Sequence, residues 1–350
     1  MKFLVKKIYA IIKRILIILR YAPFLRTISN ASCYYPNKIR KNAVARYFDN
    51  IAWLVKKGEK NLFYTQYGLD IRGSKSADYI GFREFMNLRN RYNQISRLDI
   101  SVGILRDKFL FYKYMKANDL NVPEVFALQR NGTLFDVFFK TLESSEIEKE
   151  EDYFVKDASG ECASFVKHIK NYKHLQSILP QMPNGNFIFQ RKIIQHPEMN
   201  RLNPNAVNTI RIVTINDNGK PYLFASLLRI GTQKSGCADN TSAGGIAVGI
   251  HSDGKLYEKG ILKPLYGTTL SAHPDTQVLF KEFQIPFYKE AVQLVCRAHV
   301  FFYSVKAIGW DVAISDKGPV IIEGNDNWEI TSIQAIFGGK KKELYNLMAS

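Results

Sequence analysis

The sequence has few cysteines for its length. Its 350 residues include only four, namely Cys33, Cys162, Cys237 and Cys296. They lie far apart and none forms a C-x-x-C pair, so neither a zinc site nor a disulfide framework is indicated. A reducing cytosolic setting is therefore expected. The six histidines also lack the spacing of metal ligands, and we expect them to be structural or at the surface.

Acidic residues are missing from the N-terminal end. Residues 1–48 contain eleven lysines and arginines but no aspartate or glutamate, and the whole chain has a formal net charge of +17. The positive charge is thus concentrated in one arm, whereas a general nucleic-acid binder tends to be basic over much of its surface. This asymmetry argues against nucleic-acid binding and indicates a separate task for the arm.

The arm, residues 1–26, also lacks an uncharged run of the roughly 20 residues that a spanning helix needs. At about 100° per residue its basic side chains fall in one sector and its aliphatic side chains fall opposite. This pattern predicts a helix that lies on an anionic membrane surface. Two alternatives stay open: packing on the body of the protein, or a cleaved signal peptide, which Lys13 and Arg14 disfavour. The expected location is cytoplasmic, peripheral on the inner face of the cell membrane.

Two common phosphate-binding fingerprints, G-x-x-x-x-G-K-[ST] and G-x-G-x-x-G, are absent. Helical spacing prevails in the N-terminal region, and further helices are predicted over Asp107–Asn118, Thr133–Thr141 and Pro286–Val305. The second half instead shows repeated strand and hairpin-turn signals, as in Thr209–Ile215, the turn Asn216–Gly219, and Tyr222–Ile230. Antiparallel strands with helices to one side predict an α+β fold.

The last hairpin, IGWDVAISDKGPVIIEGN, carries the strongest chemical signal. A turn at Asp316–Gly318 sets Asp311 opposite residues 322–324, and the period of two puts Glu323 and Asn325 on one face. Carboxylate and amide oxygens are the hard ligands that magnesium prefers. The alternative interpretation is an ordinary carboxylate pair on an exposed hairpin.

Basic groups occur in two other segments. In YFVKDASG, Lys156 leaves a predicted strand before a loop with Gly160, after which a helix is predicted; lysine and loop N–H groups can hold phosphate oxygens. Arg211 and Arg229 lie in two strands joined by a turn, and two arginines can neutralise a transferring phosphoryl group. Alternatively, one of these arginines pairs with a structural carboxylate.

The order of these segments resembles the ATP-grasp superfamily and, within it, the sugar-transfer-associated ATP-grasp family. The resemblance covers about Arg106–Tyr345 and is densest in HPEMNRLNPNAVNTIRIVTI, ADNTSAGGIAVGI and IGWDVAI…IIEGN. It implies an ATP-grasp fold, in which two α+β lobes clamp ATP. The expected division is the arm 1–26, a helical region 27–105, lobe A over 106–185, and lobe B with the metal site over 186–350.

The resemblance also implies residue roles. The catalytic residues would be Lys156, Arg211 and Arg229. The groups that contact ATP would be Lys108, Lys156, Gly160, Gln190, Arg191, Lys192, Ile193 and Asn240. Gln190 occupies a hinge position where the family often has glutamate, and residues 191–193 would offer backbone contacts to adenine. The magnesium ligands would be Asp311, Glu323 and Asn325.

The activity that the resemblance implies is ATP- and Mg²⁺-dependent ligation. A small-molecule or sugar carboxylate is activated as an acyl phosphate and joined to an amine, in cell-surface polysaccharide biosynthesis or modification. One alternative is a kinase that phosphorylates a sugar hydroxyl and stops. Another is a non-catalytic module that senses nucleotide, against which the full set of lysines, arginines and metal ligands speaks.

Overall fold

A computed structural model describes residues 18–93, 100–147, 149–160, 165–182, 184–233, 244–262 and 269–349. The chain forms two compact units. The terminal unit comprises Met1–Tyr92, Leu227–Phe283 and Asn327–Ser350, and the central unit comprises Asn93–Ser226 and Gln284–Asp326. No helix among the described residues is long and apolar enough to cross a membrane.

Helices occur at both ends of the chain and between the strands. The first described helix, α1, covers residues 18–29. The others are α2 Ala43–Lys57, α3 Phe82–Asn93, α4 Ile100–Arg106, α5 Lys108–Ala117, α6 Ser144–Ile147, α7 Tyr172–Ile178, α8 Pro197–Leu202, α9 Tyr288–Val300, α10 Thr331–Phe337 and α11 Lys341–Ala349. Short 3-10 turns cover Ser76–Asp78 and Leu179–Gln181.

The strands form two sheets. They are β1 Val125–Arg130, β2 Thr133–Phe135, β3 Tyr153–Asp157, β4 Val166–Ile169, β5 Asn186–Arg191, β6 Thr209–Asp217, β7 Lys220–Ile230, β8 Ile246–Ile250, β9 Leu256–Ile261, β10 Thr269–Leu270, β11 Ala307–Ser315 and β12 Gly318–Asn325. The five-stranded sheet has the order β2-β1-β5-β3-β4, and the seven-stranded sheet has the order β10-β9-β8-β7-β6-β11-β12. Antiparallel pairing joins β11 to both of its neighbours. The α+β prediction is therefore confirmed.

The five-stranded sheet is held by an apolar core in the central unit. Val155, Ile169, Leu175 and Phe189 are fully buried there, together with Tyr153 at 1% exposure. Alternate residues of β3 point into this core, as the period of a strand requires. Lys156, the residue after Val155, therefore lies on the opposite face of the sheet.

Two predicted helices are wrong. Thr133–Thr141 contains strand β2, because Asn131 and Gly132 both have positive φ (47° and 85°), the requirement of a two-residue type I′ hairpin turn, and pair β2 with β1. The helix expected after Gly160 is replaced, from Val166 on, by strand β4, which is antiparallel to β3. Pairing with a neighbouring strand overrides local helical spacing in both places.

Glu84 links three helices of the terminal unit. Its carboxylate accepts hydrogen bonds from Lys57 of α2 at 2.6 Å and from Tyr345 of α11 at 2.9 Å, and Lys341 lies 2.9 Å away. Burial alone would raise the pKa of Glu84, but these donors outweigh it and lower the pKa to about 2. The ionised carboxylate therefore stabilises the folded state.

We expect Glu84→Gln to lower the free energy of unfolding by about 2 kcal/mol at pH 7. Because the folded pKa lies below the unfolded value of 4.5, this stabilisation is fully present above about pH 4.5 and is lost as the pH falls toward 2. Urea denaturation between pH 7 and pH 3 measures the difference. Glu343→Gln, which removes an exposed pair with Lys340 only, is the control; equal losses in both variants would contradict the prediction.

Candidate active site

Three charged residues lie side by side across the central unit's part of the seven-stranded sheet. Arg211 of β6 is directly opposite Asp311 of β11, and Asp311 is directly opposite Glu323 of β12. Directly paired residues on one face of a sheet have Cβ atoms about 4.5–5.5 Å apart, close enough to interact. The predicted register of Asp311 against residues 322–324 is confirmed.

Arg211 and Asp311 form a two-point ion pair. The guanidinium Nε donates to Oδ1 at 2.6 Å and Nη2 donates to Oδ2 at 3.1 Å. The Asp311 side chain is only 3% exposed and that of Arg211 is 19% exposed. A buried carboxylate needs such a partner, because an unpaired charge is costly to desolvate. The interpretation that one arginine pairs with a carboxylate thus applies to Arg211.

A β-bulge shapes the next strand. Asp311 pairs with Glu323 but Val312 pairs with Ile321, so Ile322 is an extra residue in β12. Bulges often re-aim side chains beside functional sites, and here both Ile322 and Glu323 line one cavity. Asn325 donates from Nδ2 to Glu323 Oε1 at 3.2 Å, so Asp311, Glu323 and Asn325 are neighbours.

The electrostatics of Glu323 differ from those of Asp311. Burial raises the pKa of Glu323, and the negative charge of Asp311 raises it further. Arg211 neutralises Asp311 at close range, so Glu323 is the carboxylate of the pair that most needs an added cation.

The donor set fits a magnesium ion. The described residues contain no group of three His, Cys, Asp or Glu side chains placed to hold a metal. Magnesium, however, is commonly held by one or two carboxylates together with substrate phosphates rather than by a complete protein cage. Asp311 and Glu323 are two neighbouring carboxylates, and Asn325 offers an amide oxygen two residues after Glu323. Burial and the charge of Asp311 raise the pKa of Glu323. This set of oxygens meets that description.

Two lysines approach the same cavity. Lys108 is the first residue of α5, whose N-terminus is capped by Asp107 through the N–H groups of Phe109 and Leu110. Its Nζ donates to the carbonyl oxygen of Gly160 at 2.5 Å. The backbone N–H of Lys108 donates to the carbonyl oxygen of Ala158 at 2.8 Å, which ties α5 to the chain that follows β3.

The side chain of Lys156 in β3 lies on the face of the five-stranded sheet that is opposite the apolar core. Its Nζ donates to Oε1 of Gln190 on β5 at 2.7 Å. Burial lowers the pKa of Lys156, the negative charge of Glu323 partly offsets this and the positive charge of Lys108 adds to it, so that the pKa is about 8. Lys156, Gln190 and Glu323 are therefore electrostatically coupled.

One cavity gathers these groups within the central unit. Its polar side chains are Lys108, Lys156, Gln190 and Glu323, all predicted from the sequence. Its apolar wall, which sequence reasoning missed, consists of Phe111, Tyr112, Val122, Pro123 and Ile322.

The residues that follow Gln190 make other contacts. Arg191 forms a two-point ion pair with Glu150 at 2.6 and 2.9 Å, and its backbone N–H donates to the carbonyl oxygen of Glu124 at 2.8 Å. Lys192 pairs with Asp152 at 2.8 Å. Ile193 is half-buried. Both charged side chains are thus engaged at the outer end of β5 with residues outside the cavity lining.

Two predicted residues, Arg229 and Asn240, are not among the described residues of the central unit. Arg229 lies in β7 within the terminal unit, half-buried and opposite Ala247 of β8. Asn240 lies outside the described residues. The other predicted polar side chains all belong to the central unit.

A buried histidine supports the β6–β11 pair. Thr214 and Val305 contact the two ring nitrogens of His299 at 2.7 and 2.8 Å, and Trp310 donates to the Thr214 hydroxyl at 2.8 Å. Burial lowers the pKa of His299 to about 4, so the ring is neutral, with Nε2–H donating to Val305 and Nδ1 accepting from Thr214. This network holds the neighbours of Asp311 in place, and His299 is structural as expected.

The sequence matches a known protein family. The family model described as sugar-transfer associated ATP-grasp matches residues 86–343. No curated protein matches the sequence.

Several solved structures are similar to the chain at low sequence identity. An N5-carboxyaminoimidazole synthase from Aspergillus clavatus, in complex with ADP and 5-aminoimidazole ribonucleotide, is 8% identical over 65% of this chain and 46% of its own, with a TM-score of 0.41. An L-amino acid ligase from Bacillus licheniformis is 11% identical over 69% and 44%, with a TM-score of 0.42. A D-alanine–D-alanine ligase from Bacillus anthracis is 15% identical over 71% and 69%, with a TM-score of 0.41. The chain thus spans less than half the length of the first two.

Proposed function

Because the chain belongs to the sugar-transfer associated ATP-grasp family, we propose that it is an ATP- and magnesium-dependent ligase that joins a carboxylate to an amine through an acyl phosphate. Family membership supports an ATP-dependent ligase in general terms. The observation that carries the finer proposal is a set of charges: Lys108, Lys156 and Glu323 line one cavity. Asp311 is paired with Glu323 across the sheet, and Arg211 is paired with Asp311.

We place the nucleotide at the residues that line this cavity, with its phosphates directed toward the lysines. The apolar wall of Phe111, Tyr112 and Val122 offers a surface for a planar base, and the lysines Lys108 and Lys156 are the nearest cations for phosphate oxygens. Asp311, Glu323 and Asn325 would hold magnesium, which when bound supplies neutralisation of the triphosphate charge.

The reaction that we propose has two steps. An oxygen of the substrate carboxylate attacks the γ-phosphorus, the bond from phosphorus to the bridging oxygen breaks, and ADP leaves with that electron pair. An amine then attacks the acyl carbon, phosphate departs with the C–O electron pair, and the amine loses a proton. Lys156 and Arg211 would offset negative charge on the group in transfer.

Three finer parts of the proposal come from the sequence. The family's description links it with sugar transfer, which supports a substrate from cell-surface polysaccharide biosynthesis or modification. The basic and apolar sectors of residues 1–26 support attachment to the inner face of the cell membrane through anionic lipids. Arg229 and Asn240 are proposed to contribute near the phosphoryl group.

An acyl phosphate separates this ligase from a kinase. ADP release from ATP and Mg²⁺ is first screened against amino acids and acidic sugars. With the acid that stimulates release, and no amine, added hydroxylamine is expected to yield a hydroxamate, because it cleaves acyl phosphates and spares phosphate esters. A stable phosphate ester that resists hydroxylamine, with no amide from any amine supplied, would overturn the ligase proposal and favour the kinase.

A further inference from the structure

Helix α2 exposes an apolar face that nothing in the described part of the terminal unit covers. Val44, Phe48 and Val55 are 64%, 61% and 37% exposed, and Ala52 is also exposed. At about 100° per residue these four side chains, with half-buried Ile51, fall within roughly 100° of arc. They form a continuous apolar stripe along most of the helix, which we call the α2 stripe.

The opposite side of α2 already faces the protein. Trp53 and Leu54 are buried, Asn50 Nδ2 donates to Ser29 Oγ of α1 at 3.1 Å, and Arg46 Nε donates to the Ser29 carbonyl oxygen at 2.6 Å. The stripe is therefore a second apolar face rather than the edge of the core. An amphipathic helix packed on a core normally carries polar residues on that side.

Helix α2 is also firmly formed, so the exposure does not arise from a frayed end. Asn42 caps the N-terminus by accepting from the N–H of Ala45, and Gly58 ends the helix at a φ of 71° with its N–H bonded to the Leu54 carbonyl oxygen. Capped ends of this kind stabilise a helix by about 1 kcal/mol each. The stripe is thus presented by a rigid element.

The charge around the stripe is positive. Residues 18–60 contain nine lysines and arginines and two acids, Asp49 and Glu59, and Arg40 and Lys57 pair with acids from outside this segment. Asp49, the one acid of α2, is taken up by Lys41 at 2.7 Å and by the Tyr64 hydroxyl at 2.9 Å. Lys56 at the end of the stripe and Lys60 just beyond it are exposed. A partner that carries both apolar groups and negative charges fits this surface.

We propose that the α2 stripe is a docking surface for a bilayer that contains anionic lipid. Apolar side chains enter the boundary between headgroups and acyl chains while flanking lysines contact anionic headgroups, and both terms add to the binding. The surface is independent of the ligase chemistry and lies outside the arm of residues 1–26.

Two other occupants fit the surface less well. The arm itself has an apolar sector, but residues 1–17 contain five basic residues and no acid, so the arm would meet a surface of its own charge. A second copy of the chain would also bring positive charge against positive charge. Moreover, the four exposed side chains of the stripe supply far less than the roughly 800 Å² per partner of a stable interface.

The test uses tryptophan fluorescence in the full chain. The three native tryptophans, Trp53, Trp310 and Trp328, are at most 5% exposed, so they should respond little to quenchers in lipid. Phe48→Trp introduces an exposed indole at the centre of the stripe. Vesicles of phosphatidylcholine and phosphatidylglycerol with brominated acyl chains are expected to quench it strongly, and added salt is expected to weaken the quenching.

Phe138→Trp is the matched control, because Phe138 is a 79%-exposed phenylalanine of the central unit; its indole should stay unquenched. In a second variant, Val44→Ser with Phe48→Ser should lower partitioning onto these vesicles at least about tenfold, because withdrawing apolar area from water contributes about 25 cal/mol per Å².

Three results would overturn the proposal. Co-sedimentation with vesicles but no quenching of Phe48→Trp would assign the membrane contact to the arm alone. A blue-shifted indole in the lipid-free monomer would show that the arm already covers the stripe. A dimer that the double serine variant converts to monomer would make the stripe a contact between copies.

Discussion

Replacing Glu323 with glutamine is expected to abolish ATP consumption while leaving the protein folded. Glutamine keeps the size of the side chain but removes one of the two carboxylate charges that would balance the magnesium ion. Affinity for Mg·ATP should fall by at least about tenfold, and turnover should fall by roughly a thousandfold, since loss of phosphate charge compensation costs several kcal/mol in the transition state. Calorimetric titration with Mg·ATP and assay of ADP release measure the two effects.

The stability of this variant should move in the opposite direction from its activity. Asp311 and Glu323 are neighbouring negative groups, and burial together with Asp311 raises the pKa of Glu323. Removing one of two like charges relieves repulsion, so the melting temperature of Glu323→Gln should equal or exceed that of the parent. Asp316→Asn, at the exposed turn of the same hairpin, is the control. A Glu323→Gln protein that binds and consumes ATP like the parent would disprove the metal assignment.

A Glu323 variant tests the metal assignment more clearly than an Asp311 variant, because Asp311 is also ion-paired with Arg211. Asp311 is held by a two-point ion pair with that arginine, and breaking a buried ion pair by removing one partner destabilises a protein by about 3–5 kcal/mol. Loss of activity in an Asp311 variant would therefore combine damage to the fold with loss of a ligand. Glu323 has Asn325 as its hydrogen-bonding neighbour, and an amide replacement can preserve that contact.

The sequence predicts what depends on short-range geometry. A turn at Asp316–Gly318 and the period of a strand suffice to set Asp311 opposite residues 322–324, and an unbroken register would pair it with Ile322; the bulge shifts the pairing to Glu323. The bulge at Ile322 was not predictable in this way, because the flanking residues fit a regular hairpin equally well. Yet the bulge is what brings Ile322 and Glu323 together at one cavity.

Long-range pairing is what the sequence leaves open. The pair Arg211–Asp311 exists because β11 lies against β6, a hundred residues earlier in the chain. The apolar cavity wall similarly joins Phe111 and Tyr112 of α5 with Val122 and Pro123 before β1. These residues show no spacing that distinguishes them from ordinary core, so only the fold identifies them.

The second large effect is expected at Lys156. Replacing it with methionine keeps the length and apolar stem of the side chain but removes the ammonium group that contacts Gln190 at 2.7 Å. If Lys156 neutralises the phosphoryl group in transfer, kcat should fall by about 10²–10³-fold, the usual cost of one such donor. Lys156→Arg retains the charge but not the position and should fall between methionine and the parent. Initial rates of ADP release with the substrates from the screen measure the series.

The melting temperature of the Lys156→Met protein separates a catalytic role of Lys156 from a structural one. Burial lowers the pKa of this lysine to about 8, so its charge is unfavourably solvated in the folded state, and a methionine of similar volume should leave the melting temperature unchanged or higher. The control is Lys167→Met, an exposed lysine of the adjacent strand β4 that lies opposite Val155. An inactive Lys156→Met protein with an unchanged melting temperature, beside an active Lys167→Met protein, is the expected combination. A Lys156→Met protein that melts much earlier, or one that releases ADP at the parent's rate, would remove Lys156 from the proposed chemistry and leave it a supporting partner of Gln190.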